Sequence, residues 1–379
     1  MIPPKEAQTS GNIVWKLNKC LYGLGDAARQ FYMSLKHELI RLGCRQSLLD
    51  KTVFYKLDDE GKLCGLILTH VDDFLHCGNS VFEKTVLIPL CQRFKVGERA
   101  MKDFRYVGLH IKQNEHSINV DQTKYAESIN PPDSKSIRCP ESLSGKEQTD
   151  FRALAGALQW LSNGTRPDLA FDTLLLSCKM KEASRQDMMT CLKTIKRAKL
   201  EEVKMEFPDL GQIKRLVIFT DASFANLPDS VSSCMGYVIL LVEDNKDMNT
   251  VHKCCLLAWK STKIKRICRS TLAAETMALT EGVEESLYLR SFLVELGFSV
   301  SIEAYTDNLS LREAVYSTKQ VDDKQTRIDI AALQQMLQEN KVKQINWCSS
   351  DKQLANALTK KGASAKTLLE AMCSGRLVM

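Results

Sequence analysis

No C-x-x-C pair occurs in this chain of 379 residues, and its six histidines complete no zinc spacing. Zinc-module folds are therefore excluded. The fourteen cysteines are scattered, the closest pair being Cys254 and Cys255. Adjacent cysteines seldom bond to each other, so the pattern predicts reduced thiols and an intracellular protein, cytoplasmic or nuclear. No apolar run approaches membrane-spanning length. The opening MIPPKEAQTSGN is polar and reads as a disordered lead-in or truncated edge rather than a secretion signal. Internal repeats and low-complexity tracts are also absent. Neither sign of charge dominates: the net +6 suits a nucleic-acid partner but equally many proteins that touch none. What is present is an ordinary globular composition, 44% hydrophobic and 26% charged, long enough for two or three domains.

Three carboxylates stand out from that background. Leu216 to Asp221, LVIFTD, runs apolar and β-branched residues straight into Asp221, which predicts a buried strand ending in a carboxylate. STLAAETMAL, 270–279, is helical in composition, with Thr271, Leu272, Ala278 and Leu279 around Glu275 at helical spacing. A carboxylate on an apolar helix face needs a purpose or a partner. IEAYTD, 302–307, repeats the strand-to-Asp pattern at Asp307. Strand-Asp, helix-Glu, strand-Asp is a way to gather carboxylates around divalent metal ions, and it suggests phosphodiester hydrolysis. Taken singly, Asp307 also suits an N-cap, Asp221 a turn and Glu275 a buried ion pair.

In chain order, a short strand is expected at 13–19 and a long amphipathic helix behind it, closed by Gly43. Strand-like runs at 52–57 and 63–71 flank the turn DDEGK. Asp72 and Asp73 follow inside LCGLILTHVDDFLHCG, where they face metal or solvent or simply tip a turn. A helix at 81–94, a strand at 104–112 and a short helix before Pro131 come next. Residues 130–150 are the linker candidate. Two helices, 150–161 and 166–179, precede a basic helix from 185 to about 206, whose Lys193, Lys196, Arg197 and Lys199 form a solvated face or a phosphate contact. Three hairpin strands and then alternating helix and strand follow from Leu216, with the basic stretch KSTKIKRICR before the Glu275 helix and a last helix beginning near Lys352.

Several blocks together resemble the C-terminal part of Copia-type retrotransposon Pol polyproteins. They are KLNKCLYGLGDAARQFY, GCRQSLLDKTVFY, HVDDF, DFRYVGLHI, DQTKYAESI, FRALAGALQWLSNGTRPDLAFD, TDASFANLPD, WKSTKIKRICRSTLAAETMAL, YTDNLSL and QLANALTKKG. Each is short, but they occur in family order over nearly the whole chain. The resemblance implies an α+β partial reverse transcriptase palm and thumb followed by an α/β RNase H-like domain, a mixed five-stranded sheet with flanking helices. The implied bounds are 1–129 for the partial polymerase, 130–210 for thumb and connection helices, 211–365 for the RNase H-like domain, and 366–379 for a tail. It also implies Asp221, Glu275 and Asp307 as ligands of Mg²⁺ or Mn²⁺, with Asp72 and Asp73 as polymerase carboxylates. An RNA–DNA hybrid is the implied partner, with upstream Pol segments if a full element exists. Arg29, Lys193, Lys196, Arg197, Lys263, Lys265, Arg266 and Arg269 are the expected nucleic-acid contacts.

Two departures qualify the expected activity. Where the family's last motif has A-D-x-L-T-K, this chain reads LANALTK, which puts Asn356 at the fourth metal-ligand position. An amide oxygen carries no charge and binds a divalent cation more weakly, with Asp351 or Asp329 as candidate substitutes. Second, the palm's third carboxylate lies, in the family, upstream of the block at Lys16, so independent DNA synthesis is not expected. The alternative to an RNase H-type enzyme fragment is a decayed or repurposed retroelement product that binds nucleic acid without catalysis.

Overall fold

The structure, a computed structural model, describes residues 14, 16, 21, 23–132, 143–211, 214–243, 251–318 and 321–378. Most of the strand expected at 13–19, residues 133–142 of the linker at 130–150 and most of the turn EDNKDMN lie outside these residues. The chain forms two compact units, Met1–Arg99 with Glu295–Gly297, and Ala100–Val294 with Phe298–Met379.

In the first unit, helix α1 (Ala27–Arg41) is followed by an antiparallel meander of β1 (Arg45–Gln46), β2 (Val53–Leu57), β3 (Leu63–His70) and β4 (Asp73–Gly78). Gly43, at φ +85°, takes the left-handed conformation that turns the chain from helix to sheet. A helical segment, α2 (80–94), opens with Asn79 accepting the N–H groups of Val81 and Phe82 and passes through a π-helical turn at Glu83–Leu87. Leu35, Leu39, Phe54, Ile67, Phe82 and Leu90 form its core. Gly65 and Gly78 make room for the Phe82 ring, which a Cβ at either position would strike at 2.4–2.5 Å.

The second unit begins with a four-stranded antiparallel sheet: β5 (Asp103–Tyr106), β6 (Leu109–Gln113), β7 (Ser117–Asp121) and β8 (Met205–Pro208). The single strand expected at 104–112 is thus a hairpin, because Val107 and Gly108 both adopt positive φ and reverse the chain. Helices α3 (Thr123–Ser128), α4 (Gly145–Gly164), α5 (Ala170–Ser177) and α6 (Arg185–Leu200) pack on Phe151, Leu158, Leu161, Leu169, Met188 and Ile195. The basic helix ends at Leu200, earlier than expected, and the chain returns as β8. Arg166 stops it. This nearly buried guanidinium makes two 2.8 Å bonds to Asp168 and donates to the backbone carbonyls of Ala198 and Glu201 at 3.0 and 3.1 Å. It satisfies carbonyls that the helix end leaves orphaned.

The larger sheet has strand order β13-β12-β9-β10-β11-β14, built from β9 (Lys214–Ser223), β10 (Cys234–Glu243), β11 (Val251–Lys263), β12 (Val300–Thr306), β13 (Gln344–Trp347) and β14 (Arg376–Val378). β9, β10 and β11 are antiparallel neighbours, while β12 runs parallel to both β9 and β13. Helices α7 (Thr271–Glu295), α8 (Leu309–Tyr316) and α9 (Lys324–Gln338) cover one face through Leu216, Ile218, Leu279, Val283, Leu311 and Leu333. The other face packs Val217, Phe219, Val238 and Leu256 against Leu354, Leu358 and α10 (Lys366–Ser374). The expected five-stranded mixed sheet is present. A sixth strand joins its edge because Leu377, pairing opposite His252, is buried with α10. Arg376–Val378, within the segment expected as a tail, therefore belong to the sheet.

Candidate metal centre

Strand β9 is buried from Arg215 to Ala222, and the two-residue period places Asp221 on the face of Val217 and Phe219. Asp221 is wholly buried. Its register partner on β10 is Gly236. A Cβ at Gly236 would lie 2.8 Å from Leu358 and 3.1 Å from Thr359, so the glycine lets the 3₁₀ turn Leu354–Leu358 settle directly beside the carboxylate. Gln353 pins that turn by donating to the Thr220 carbonyl at 3.0 Å. The Thr359 hydroxyl then donates to one Asp221 oxygen, and the Lys360 ammonium lies 3.1 Å from the other.

Glu275 comes from the first turns of α7. It is 4% exposed. Close packing of the helix on the sheet depends on Gly282, where a Cβ would meet Thr220 at 2.8 Å. Asp307 follows the last residue of β12 and accepts the Ser350 hydroxyl at 2.8 Å, while the Trp347 indole donates to its backbone carbonyl at 3.0 Å. The cap of α8 is Asn308, whose side chain accepts the Leu311 N–H. Asp307 is thereby left for the site. The ligand oxygens of Asp221, Glu275 and Asp307 all lie within 4.8 Å of one another.

The electrostatics of this cluster call for positive charge. Burial pushes the Glu275 carboxyl well above its ordinary range, and the neighbouring charges of Asp221 and Asp307 add to the effect. Burial also raises Asp221, against the opposing influence of Lys360 and Thr359. Oε2 of Glu275 is buried with no hydrogen-bond partner. An orphaned carboxylate oxygen costs free energy unless a cation or proton meets it. The donor set is three hard oxygen ligands, as Mg²⁺ or Mn²⁺ prefers. The residues fit a divalent ion.

The fourth position is different. Asn356 donates to the Ser350 carbonyl at 2.7 Å, and its side-chain oxygen accepts the Lys360 ammonium at 2.6 Å. Neither proposed substitute joins the acidic cluster: Asp329 is paired with Arg266, and Asp351 is exposed at the rim of a cleft of about 370 Å³ that Asn356 and Lys360 also line. Lys360, Thr359 and Ser350 were not anticipated from sequence. The available signal was Lys360 four residues after Asn356, one helical turn away in an otherwise apolar run.

Asp72 and Asp73 stand exposed at the β3–β4 hairpin. Val71 there holds φ +56°, a conformation that β-branched residues rarely adopt. Among the described residues, no third His, Cys, Asp or Glu completes a ligand group with them. The basic residues divide into two groups. Arg197 pairs with Asp172, Lys263 with Asp229 and Arg266 with Asp329. Arg29, Lys193, Lys196, Lys265 and Arg269 are exposed and form no ion pair among the described residues.

A family model described as reverse transcriptase (RNA-dependent DNA polymerase) matches residues 1–132. The chain is 26% identical over 370 residues to the retrovirus-related Pol polyprotein from transposon RE1 of Arabidopsis thaliana, and 28% over 371 residues to that from transposon RE2. In each case 92% of this chain aligns with 24% of the relative, so it spans about a quarter of their length. It is also 25% identical over 329 residues to the Pol polyprotein from transposon TNT 1-94 of Nicotiana tabacum, 78% of this chain against 23% of that one. Among solved structures, an RNase H1 in complex with an RNA/DNA hybrid is 19% identical with TM-score 0.29, covering 38% of this chain and 94% of that one. A foamy viral protease-reverse transcriptase in complex with dsDNA is 12% identical with TM-score 0.46, covering 87% of this chain and 59% of that one. Over 92% of its length this chain is similar to retrovirus-related Pol polyproteins of plant transposons, with a reverse transcriptase match at residues 1–132 ahead of the mixed α/β sheet that carries the acidic cluster.

Proposed function

We propose that the Asp221–Glu275–Asp307 site hydrolyses the RNA strand of an RNA–DNA hybrid in a reaction dependent on Mg²⁺ or Mn²⁺. The observation that carries this reading is Glu275, whose Oε2 is buried and partnerless and whose carboxylate offers an oxygen within 4.8 Å of ligand oxygens from two strand ends. A bound divalent ion supplies acidity to an attacking water and neutralises charge developing on the leaving oxygen. The chain's own residues hold the oxygens that would receive it. Thr359 and Lys360 fix both oxygens of Asp221, Ser350 orients Asp307, and the apolar contacts of α7 fix Glu275. Burial excludes water from Asp221 and Glu275, so each charge acts at low dielectric.

Hybrid cleavage by purified protein with Mg²⁺ or Mn²⁺, and its loss in Asp221→Asn, tests the reading directly. The amide at the fourth position implies a slow enzyme, and Asn356→Asp is expected to raise the rate. An unchanged rate in that variant would remove Asn356 from the explanation.

One observation favours a second reading, nucleic-acid binding without cleavage: the Asn356 oxygen is already occupied by an ammonium. Hybrid binding without Mg²⁺- or Mn²⁺-stimulated cleavage in either wild type or Asn356→Asp would decide for it. DNA synthesis by this chain alone is not part of the proposal, since Asp72 and Asp73 form no three-ligand group among the described residues.

A further inference from the structure

We infer that Lys360 is a built-in cation of the metal centre, standing where its ammonium competes with a divalent ion on the Asp221–Asn356 side. The inference rests on the metal-binding reading above and specifies how many ions the site takes. The ammonium lies 3.1 Å from Asp221 Oδ1 and 2.6 Å from Asn356 Oδ1, so it bridges the two side chains on that side. Asn356 is neutral, and its own amide N–H₂ is committed to the Ser350 carbonyl, which leaves the Asn356 oxygen facing the lysine. Lys360 also acts on Glu275 through its charge, but among the described residues neither Glu275 nor Asp307 forms an ion pair of its own. Glu275 Oε2 is buried and partnerless, and Asp307 is touched by a hydroxyl rather than a cation.

The consequence is an uneven site. A divalent ion entering among Glu275, Asp307 and the shared Asp221 meets three carboxylates. A second ion on the Asp221–Asn356 side would have to displace an ammonium and accept a neutral amide in place of a carboxylate. Like charges a few ångströms apart in a partly buried setting repel strongly, so ion and ammonium exclude one another. The lysine side chain is nevertheless 43% exposed, and its stem borders the open cleft lined by Ser350, Ser364 and Thr367. It has a route out, and the exclusion is therefore a competition rather than a permanent block.

The test counts ions in the absence of substrate, by the loss of the free Mn²⁺ electron paramagnetic resonance signal on titration. Wild type is expected to bind one Mn²⁺ per chain. Lys360→Met is expected to bind that ion at least about tenfold more tightly, or to take a second, and Lys360→Met combined with Asn356→Asp to take two. Lys360→Arg keeps the charge and is expected to match wild type. Circular dichroism and thermal unfolding establish that each variant is folded. Two ions in wild type, an unchanged affinity and count in Lys360→Met, or Met and Arg variants that behave alike would each overturn the inference. In those three outcomes metal still binds, so the proposed function stands. Absence of Mn²⁺ binding in every variant would overturn the metal reading and this inference together.

Discussion

The side chain of Asn308 accepts the backbone N–H of Leu311 at 2.9 Å, and this makes Asn308 rather than the adjacent Asp307 the N-cap of α8. Two neighbouring residues therefore divide structural and chemical work. Asn308→Ala is expected to cost about 0.5–2 kcal/mol in urea unfolding, the usual loss on removing such a cap. Asp307→Asn removes a charge that crowds Asp221 and Glu275, so it is expected to leave the metal-free protein as stable or more stable while abolishing Mn²⁺ binding. A loss of stability in Asp307→Asn as large as that in Asn308→Ala would show that Asp307 is structural after all.

Glu275 gives the metal-free protein a pH dependence of a definite sign. Its carboxyl is raised from an ordinary 4.5 to about 9, by burial first and then by Asp221 and Asp307. Between those values the unfolded chain has released the proton while the folded chain keeps it. Folded protein then binds more protons than unfolded, so stability declines as pH rises. Its contribution is fully present below about 4.5 and is lost as pH rises toward 9. With a chelator present, the unfolding midpoint is expected to fall across this window, and Glu275→Gln is expected to flatten the fall. Saturating Mn²⁺ should also flatten it, because the ion replaces the proton. An equal pH slope in wild type and Glu275→Gln would assign the effect elsewhere.

Much of the site was legible because burial and charge conflict openly at Asp221 and Glu275. A strand of apolar residues ending in a carboxylate, and a carboxylate flanked by Leu272, Ala278 and Leu279 at helical spacing, both signal a cost that needs an explanation. Lys360 gave no comparable signal, since a lysine near a chain turn costs nothing and its meaning depends on tertiary approach. Thr359 and Ser350 were hidden for the same reason. The β5–β6 hairpin was missed because Val107 at positive φ contradicts its own local preference, which sequence reading relies on. The edge strand at Arg376–Val378 is only three residues long, too short for a period to show.

Gly236 is where the site's geometry is most exposed to a one-carbon change. It stands opposite Asp221 in the sheet, and a Cβ there would meet Leu358 at 2.8 Å, with the Lys260 carbonyl and Thr359 each at 3.1 Å. Backbone on one side and a packed turn on the other leave little room to yield. Gly236→Ala is expected to cost about 1–3 kcal/mol of stability through overpacking. It should also push the turn bearing Thr359 and Lys360 away from Asp221, and so alter Mn²⁺ affinity even in protein that remains folded. Wild-type stability and wild-type affinity in Gly236→Ala would mean that the turn is not held at this glycine.

The basic residues before α7 separate into paired and unpaired cations, and that division predicts which of them meet a phosphate backbone. Lys263 and Arg266 already neutralise Asp229 and Asp329, so a phosphate gains from them only by breaking an existing ion pair. Lys265 and Arg269 are exposed and have no ion-pair partner among the described residues. Their charge is available at no such cost. Removing one phosphate-binding cation should reduce the salt dependence of binding by a slope of about one and weaken binding to different sequences alike. The double variant Lys265→Ala, Arg269→Ala is therefore expected to lower affinity for a fluorescent RNA–DNA hybrid at moderate salt and to flatten the plot of log affinity against log salt by about two. Lys263→Ala and Arg266→Ala together should flatten it less, because each of these cations is already neutralised by an aspartate and contributes little free charge to the phosphates. Equal slopes for the two double variants would show that the ion pairs open on binding and that all four cations reach the phosphates.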